Sequence, residues 1–308
     1  MKGNVIVGQS GGPTSAINSS LAGVYRTAID RGAKKVYGMR HGIQGLLEEK
    51  YIDLSEHIRN ELDEELLKRT PAAYLGSCRY KLPEIHENPE IFEKIFGILD
   101  KLEIECFIYI GGNDSMDTIK KLSDYAIVKG YTTKFIGVPK TIDNDLALTD
   151  HTPGYGSAAK YIGTSTKEII RDSNALEYGK GLVTVIEIMG RNAGWITAAS
   201  ALARKKPGDA PHLIYLPERP FNEEEFLEDV KKLYDEKGGV VVVASEGLKG
   251  ADGQPIVPPI FKAGRATYYG DVSAHLANLV IQKLGIKARS EKPGICGRAS
   301  IAWQSPVD

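Results

Sequence analysis

The chain has 308 residues, 26% charged and 42% hydrophobic, a length and balance suited to two domains or one large α/β unit with a real core. Its 39 Lys and Arg against 40 Asp and Glu leave a net charge of −1, without the basic stripe that a nucleic-acid surface needs. A cytoplasmic protein is expected: no apolar run nears the roughly 18 residues of a membrane helix, the start Met1-Lys2-Gly3-Asn4 lacks a signal-peptide layout, and Cys78, Cys106 and Cys296 have no CxxC spacing.

In chain order, strands are expected over 5–8, 36–39, 106–110, 134–138, 182–188, 212–216 and 240–245. Several are apolar on both faces, Phe107-Ile108-Tyr109-Ile110 and Val240-Val241-Val242-Val243 among them, as strands of a helix-covered parallel sheet must be. Helical patterns fill the intervals over 15–30, 89–101, 116–129 and 222–236, the last opened by an Asn222 cap before Glu223, Glu224 and Glu225. Residues 249–270, rich in glycine and proline, read as an irregular excursion. This alternation predicts an α/β class with doubly wound, mostly parallel sheets and right-handed crossovers. A change in organisation over 145–156 suggests a boundary between a domain of residues 1–150 and a second of residues 151–298.

In open α/β sheets ligands bind beyond the carboxyl ends of the strands, so the loops there carry the functional argument. After the first strand comes Gly8-Gln9-Ser10-Gly11-Gly12-Pro13-Thr14-Ser15. Its glycines let the backbone approach an oxyanion, and the following helix offers free N–H groups and the positive end of its dipole. It is neither GxGxxG nor a Walker loop, and a ligand-free turn explains it about equally well. After the third strand, Gly111-Gly112-Asn113-Asp114-Ser115 sets an amide and a carboxylate at a helix start, suited to a hydrated magnesium ion holding phosphate oxygens, or simply to capping.

The fourth strand ends in Pro139-Lys140-Thr141-Ile142-Asp143-Asn144-Asp145. One carboxylate there can act as general base while the other binds metal, and Lys140 can neutralise phosphate charge. A polar turn explains the Asn and Asp but not the cation beside them. The fifth strand leads into Met189-Gly190-Arg191-Asn192-Ala193-Gly194, where Arg191 suits a phosphate clamp and is otherwise an ordinary surface arginine. Two phosphate-suited loops, a candidate base and an arginine together indicate phosphoryl transfer.

From Val5 to Asp308 these motifs resemble, in order, the 6-phosphofructokinase family. Ser10-Gly11-Gly12 with Asn18, Gly76-Ser77-Cys78-Arg79, Thr141-Ile142-Asp143-Asn144-Asp145, Met189-Gly190-Arg191, Ser245-Glu246-Gly247 and Arg289 followed by Arg298 carry the resemblance. It implies two Rossmann-like domains of the phosphofructokinase fold, residues 1–150 binding the phosphoryl donor and residues 151–298 the sugar phosphate, with residues 299–308 returning to the first. By the same resemblance Asp143 is the base for the C1 hydroxyl of fructose 6-phosphate. Thr141, Ile142, Met189, Gly190, Arg191 and Glu246 are its contacts, and Arg289 and Arg298 hold its 6-phosphate. Gly11 and Arg79 meet the donor, and Asn113 with Asp145 forms the Mg2+ site.

Members that use ATP carry glycine at the positions of Asp114 and Lys140, and diphosphate-using members carry the pair seen here. A carboxylate at Asp114 would repel an α-phosphate, and Lys140 can meet a compact diphosphate, so inorganic diphosphate is the expected donor. The expectation is therefore a diphosphate–fructose-6-phosphate phosphotransferase of the glycolytic and gluconeogenic step, reversible and homo-oligomeric (dimer or tetramer), without nucleic-acid or membrane partners. Asn113 stands where many relatives have Asp, Ile295 where a polar or aromatic residue reaches the sugar phosphate, and Leu21 and Tyr25 where regulated ATP-type members carry effector-binding arginines. Relatives also continue well past the position of Asp308. An ATP-dependent phosphofructokinase is the alternative enzyme, and a non-catalytic sugar-phosphate-binding homologue the alternative of another class. A dinucleotide-dependent oxidoreductase lacks its GxGxxG and ribose-binding acid here.

Overall fold

In the computed structural model, which describes residues 3–175, 179–263 and 266–308, strand β1 (Asn4–Gln9) is buried throughout. The pleat sends Val5 and Val7 to one side, with Ile17 and Leu21 of α1 (Ile17–Asp30), and Ile6 to the other, with Phe92 and Phe96 of α4 (Pro89–Lys101). Both faces of the sheet are thereby covered, which is why β1 reads as a continuous apolar run.

The chain divides into two compact units, one of Met1–Ile142, His151–Gly156 and Arg298–Asp308, the other of Asp143–Asp150 and Ser157–Gly297. The first unit contains, besides these elements, β2 (Val36–Met39), α2 (Gly42–Leu47), β3 (Tyr51–Asp53), α3 (Glu61–Arg69), β4 (Ile104–Gly111), α5 (Asn113–Lys129) and β5 (Lys134–Pro139). Its sheet runs β3-β2-β1-β4-β5, with only β3 antiparallel. The strand order reverses between β1 and β4, and a crevice for ligands opens at such a switch point. The loops that leave β1 and β4 there are Ser10-Gly11-Gly12 and Gly112-Asn113-Asp114.

The second unit holds α6 (Tyr155–Ala175, entered from the first unit), β6 (Val183–Ile188), α7 (Trp195–Ala199), β7 (Leu213–Tyr215), α8 (Glu223–Lys237) and β8 (Val240–Ser245). A hairpin of β9 (Pro259–Ala263) and β10 (Ala266–Tyr269) follows, then α9 (Val272–Leu284) and β11 (Ala288–Glu291). Its main sheet is wholly parallel, in the order β11-β6-β8-β7. Val183, Val185, Val240 and Val242 pack on α8 and α9 through Phe226, Val230, Leu276 and Val280.

The doubly wound α/β class matches the expectation, and so do the seven expected strands to within two residues at each end. The stretch 249–270 does not, because the antiparallel pair β9–β10 occupies part of it. Helix α5 begins at Asn113 rather than at 116, so Asn113 and Asp114 lie in its first turn. Among the described residues, no helix is long and apolar enough to cross a membrane.

Candidate active site

In the first unit the loop after β1 is fixed by a buried amide. Gln9 donates through Nε2 to the carbonyl of Ile17 (3.1 Å) and to Asn18 Oδ1 (2.9 Å), and its Oε1 accepts from the Leu75 N–H at 2.9 Å. Asn18 in turn donates to Thr70 O and accepts from Tyr74 N–H, each at 2.8 Å. The segment leading to Arg79 is thus tied to the glycine loop, a role for Gln9 that its strand position alone does not reveal. Gly11 then donates to Cys78 O at 3.3 Å, and Ser77 Oγ donates to Gly11 O at 2.5 Å. Ser10 Oγ and Ser115 Oγ share a short hydrogen bond that joins the β1 loop to α5.

Three groups distant in sequence meet here. Lys140 is only 3% exposed, and its ammonium donates to Gly12 O at 2.6 Å. A Cβ on Gly11, which sits at φ +76°, would lie 3.0 Å from Lys140 Nζ, and one on Gly12 would lie 3.0 Å from Arg298 Nη1. A side chain at either glycine would therefore crowd a cation. Arg298 Nε is buried with no hydrogen-bond partner, a donor whose desolvation calls for an acceptor. Lys140 and Arg298 thus bring two cations, one with an unanswered N–H, to this loop, an arrangement suited to an anion.

Helix α5 opens beside this loop without a side-chain cap, and Asn113 and Asp114 of its first turn are exposed. His41 was not anticipated as a neighbour of these residues. It adopts φ +57°, rare for a non-glycine residue, and its Nδ1 lies 3.4 Å from Ser77 O, over Gly76. Its sequence signal is faint: a histidine just before Gly42. Arg79 is exposed. Thr141 donates from its N–H to Pro153 O at 3.1 Å and accepts from Thr152 Oγ1 at 2.9 Å, while Ile142 is buried. Leu21 is fully buried, and Tyr25 donates to Ile58 O, so both serve packing.

In the second unit Asp143 is half-buried and Asp145 exposed, separated by the buried Asn144 at φ +56°. Asn tolerates this left-handed backbone better than most residues. The ends of β6 and β8 are knitted together: Glu246 N–H donates to Ile188 O (2.9 Å), Ser245 Oγ donates to Gly190 O (2.8 Å), and Gly190 N–H reaches Glu246 Oε1 (3.3 Å). Arg191 stacks its guanidinium 4.9 Å above the Tyr269 ring, on the hairpin that the sequence reading left irregular. Arg289 is half-exposed and pairs with Asp172 Oδ2 at 3.3 Å. Ile295 is exposed.

Gly247 shows how close this packing is, since a Cβ there would fall 1.9 Å from Arg191 O. Gly247→Ala is expected to cost about 1–3 kcal/mol, read as a lower urea midpoint, because backbone must move to admit the methyl group.

Among the described residues, no three His, Cys, Asp or Glu side chains cluster to hold a metal. Asn113 in the first unit and Asp145 in the second each expose an oxygen donor of the hard kind that Mg2+ accepts.

Comparison with known proteins follows the same motifs. The profile of the phosphofructokinase family matches residues 4–304. The pyrophosphate–fructose 6-phosphate 1-phosphotransferase of Rhodospirillum rubrum is 40% identical over all of this chain and 76% of its own length. A sulfofructose kinase of Alkalicoccus urumqiensis is 35% identical over 99% of this chain and 76% of its own. The crystal structure of a pyrophosphate-dependent phosphofructokinase from Marinobacter aquaeolei superposes with a TM-score of 0.85 at 40% identity, covering 99% of this chain and 71% of that one. Matched along nearly its whole length in sequence and in fold, the chain belongs to the phosphofructokinase family.

Proposed function

We propose that this protein transfers a phosphoryl group from inorganic diphosphate to the C1 hydroxyl of fructose 6-phosphate, giving fructose 1,6-bisphosphate and phosphate. The observation that carries the donor assignment is the buried Lys140 ammonium at 2.6 Å from Gly12 O in the glycine loop. This arrangement suits a small, highly charged ligand. Asp114 in the first turn of α5 sets a carboxylate where the helix dipole would otherwise receive a further phosphate, which disfavours a nucleotide.

Gly11, Gly12 and Arg79 hold the diphosphate in this reading, and Lys140 balances its charge. Thr141, Ile142, Met189, Gly190, Glu246, Arg289 and Arg298 hold the sugar phosphate. In this reading residues 1–150, joined by 299–308, are the donor-binding part and 151–298 the sugar-binding part, with Thr141 and Ile142 of the former among the sugar contacts. Asp143 takes the proton of the C1 hydroxyl as its oxygen bonds to the incoming phosphorus. The bridging P–O bond of the donor breaks, and the departing phosphate keeps its electron pair. Arg191 stabilises the charge that develops on the transferred group. Asn113 and Asp145 would hold Mg2+, which when bound neutralises charge on the phosphate oxygens. The bonds broken and formed are similar in energy, so the reaction runs in both directions. The same reading makes the protein a cytoplasmic homo-oligomer.

The test is a coupled assay with Mg2+ and diphosphate that offers fructose 6-phosphate, sedoheptulose 7-phosphate and sulfofructose in turn. Fructose 6-phosphate is expected to give the highest kcat/KM, and EDTA to abolish turnover. A higher kcat/KM with sulfofructose would reassign the acceptor, and turnover unaffected by EDTA would remove the metal from the reading.

A further inference from the structure

Strand β6 carries one charged residue in an otherwise uncharged, wholly buried run, and it lies two positions before Met189. The Glu187 side chain is 2% exposed. Its Oε2 accepts from the N–H groups of Val272 (2.7 Å) and Ser273 (3.2 Å), the first residues of α9, where the helix dipole favours a carboxylate. Its Oε1 forms a short ion pair with Lys292, whose ammonium is also 3.9 Å from Asp271 Oδ2. Asp271 caps α9 through the Ala274 N–H at 2.9 Å. Three segments therefore meet on one carboxylate: the end of β6, the start of α9 and the chain just beyond β11.

Each of them leads to a residue assigned above to the sugar phosphate. Met189, Gly190 and Arg191 follow Glu187 after Ile188 alone, and Arg289 precedes Lys292 by three positions. Pro293 and Gly297 lie against Glu187 and Met189 around a gap of about 10 Å³, room for one water at most. Burial pushes the Glu187 carboxyl up, and the Lys292 ammonium pulls it back toward the ionised form.

We infer that Glu187, through Lys292 and the first turn of α9, is a positioning residue that sets the Met189–Arg191 loop and the Arg289 strand in register to receive the sugar phosphate. The inference rests on the acceptor reading given above. A carboxylate buried on its own costs stability, and an ammonium that is half in water gives back only part of it, so the pair at this junction is better explained by geometry than by stability. Lys292 is half-exposed, so its replacement leaves little unfilled space.

The test uses the full chain and the variants Lys292→Met, Lys292→Arg and Glu187→Met/Lys292→Met. Calorimetric titration with fructose 6-phosphate and, separately, with diphosphate accompanies steady-state kinetics and thermal melting. Lys292→Met and the double variant are expected to raise Kd and KM for fructose 6-phosphate by about tenfold or more, because small misplacements of binding groups are costly. The diphosphate constants should stay within about twofold and the double variant's Tm within a few degrees, a split that a purely structural role would not produce. Lys292→Arg, which keeps the charge, should restore most of the affinity. Unchanged sugar-phosphate affinity in both Met variants, or parallel loss of both ligands with the melting temperature, would overturn the inference alone. A wild-type protein that fails to bind fructose 6-phosphate would overturn the acceptor reading, and this inference with it.

Discussion

Asp143→Ser is expected to lower kcat by about 10²–10⁴-fold, the range for a lost general base, with KM for fructose 6-phosphate changed by less than about threefold. The half-buried carboxylate stands next to Asn144 at φ +56°, a backbone conformation that turns the chain sharply between the two acids. Serine is smaller and uncharged, so the turn should survive while the proton acceptor is lost. Asp145→Ser provides the contrast. Asp145 is exposed and assigned to the metal, so its loss should appear as a raised Mg2+ requirement. Turnover close to wild type in Asp143→Ser, measured as fructose 1,6-bisphosphate formed, would remove the proposed base.

The second large effect concerns the donor. Lys140→Gly should lower kcat/KM for diphosphate by about 10²–10³-fold, the cost of removing one preorganised charge from a site of this kind. Its ammonium is buried on the Gly12 carbonyl, so the loss takes charge and backbone support away together. Asp114→Gly, made alone, should leave diphosphate use closer to wild type because the carboxylate is exposed in the first turn of α5. With both glycines in place, the carboxylate no longer repels an α-phosphate and the ammonium no longer fills the floor. ATP turnover should then rise above that of the wild type, and parallel assays with the two donors will show whether it does.

Much of the fold could be read from the chain because strand β4, with Phe107 and Tyr109 on one face and Cys106 and Ile110 on the other, can only be covered on both sides. The strand-end loops stood out for a related reason: glycine and charge adjoin a buried run at a known edge of the sheet. Helix α6 escapes the periodicity, although it is the longest element among the described residues. Apart from Ile162, its buried side is built from small residues, Ser157, Ala158, Ala159, Gly163, Thr166 and Ser173, which mask the apolar period. Strand β11 is the four-residue Ala288–Glu291, and its charged edge sequence gives no strand signal.

The site was legible as loops but not as a constellation. Nothing local in sequence says that Arg298 sits beside Gly12, or that Asp172 of α6 pairs with Arg289, 117 positions away. Glu187 was read only as part of a strand, since its partners lie 85 or more residues downstream. Gln9 likewise looked like the end of β1 rather than the anchor of the Leu75 segment.

Which polyanion the loop beside Lys140 accepts decides the donor. The direct measurement is kcat/KM of the purified protein for diphosphate and for ATP, at saturating fructose 6-phosphate and equal free Mg2+. Diphosphate should be preferred by at least about 10²-fold, the scale set by one well-placed charge. Equal or better use of ATP would contradict the role given to Asp114 and Lys140.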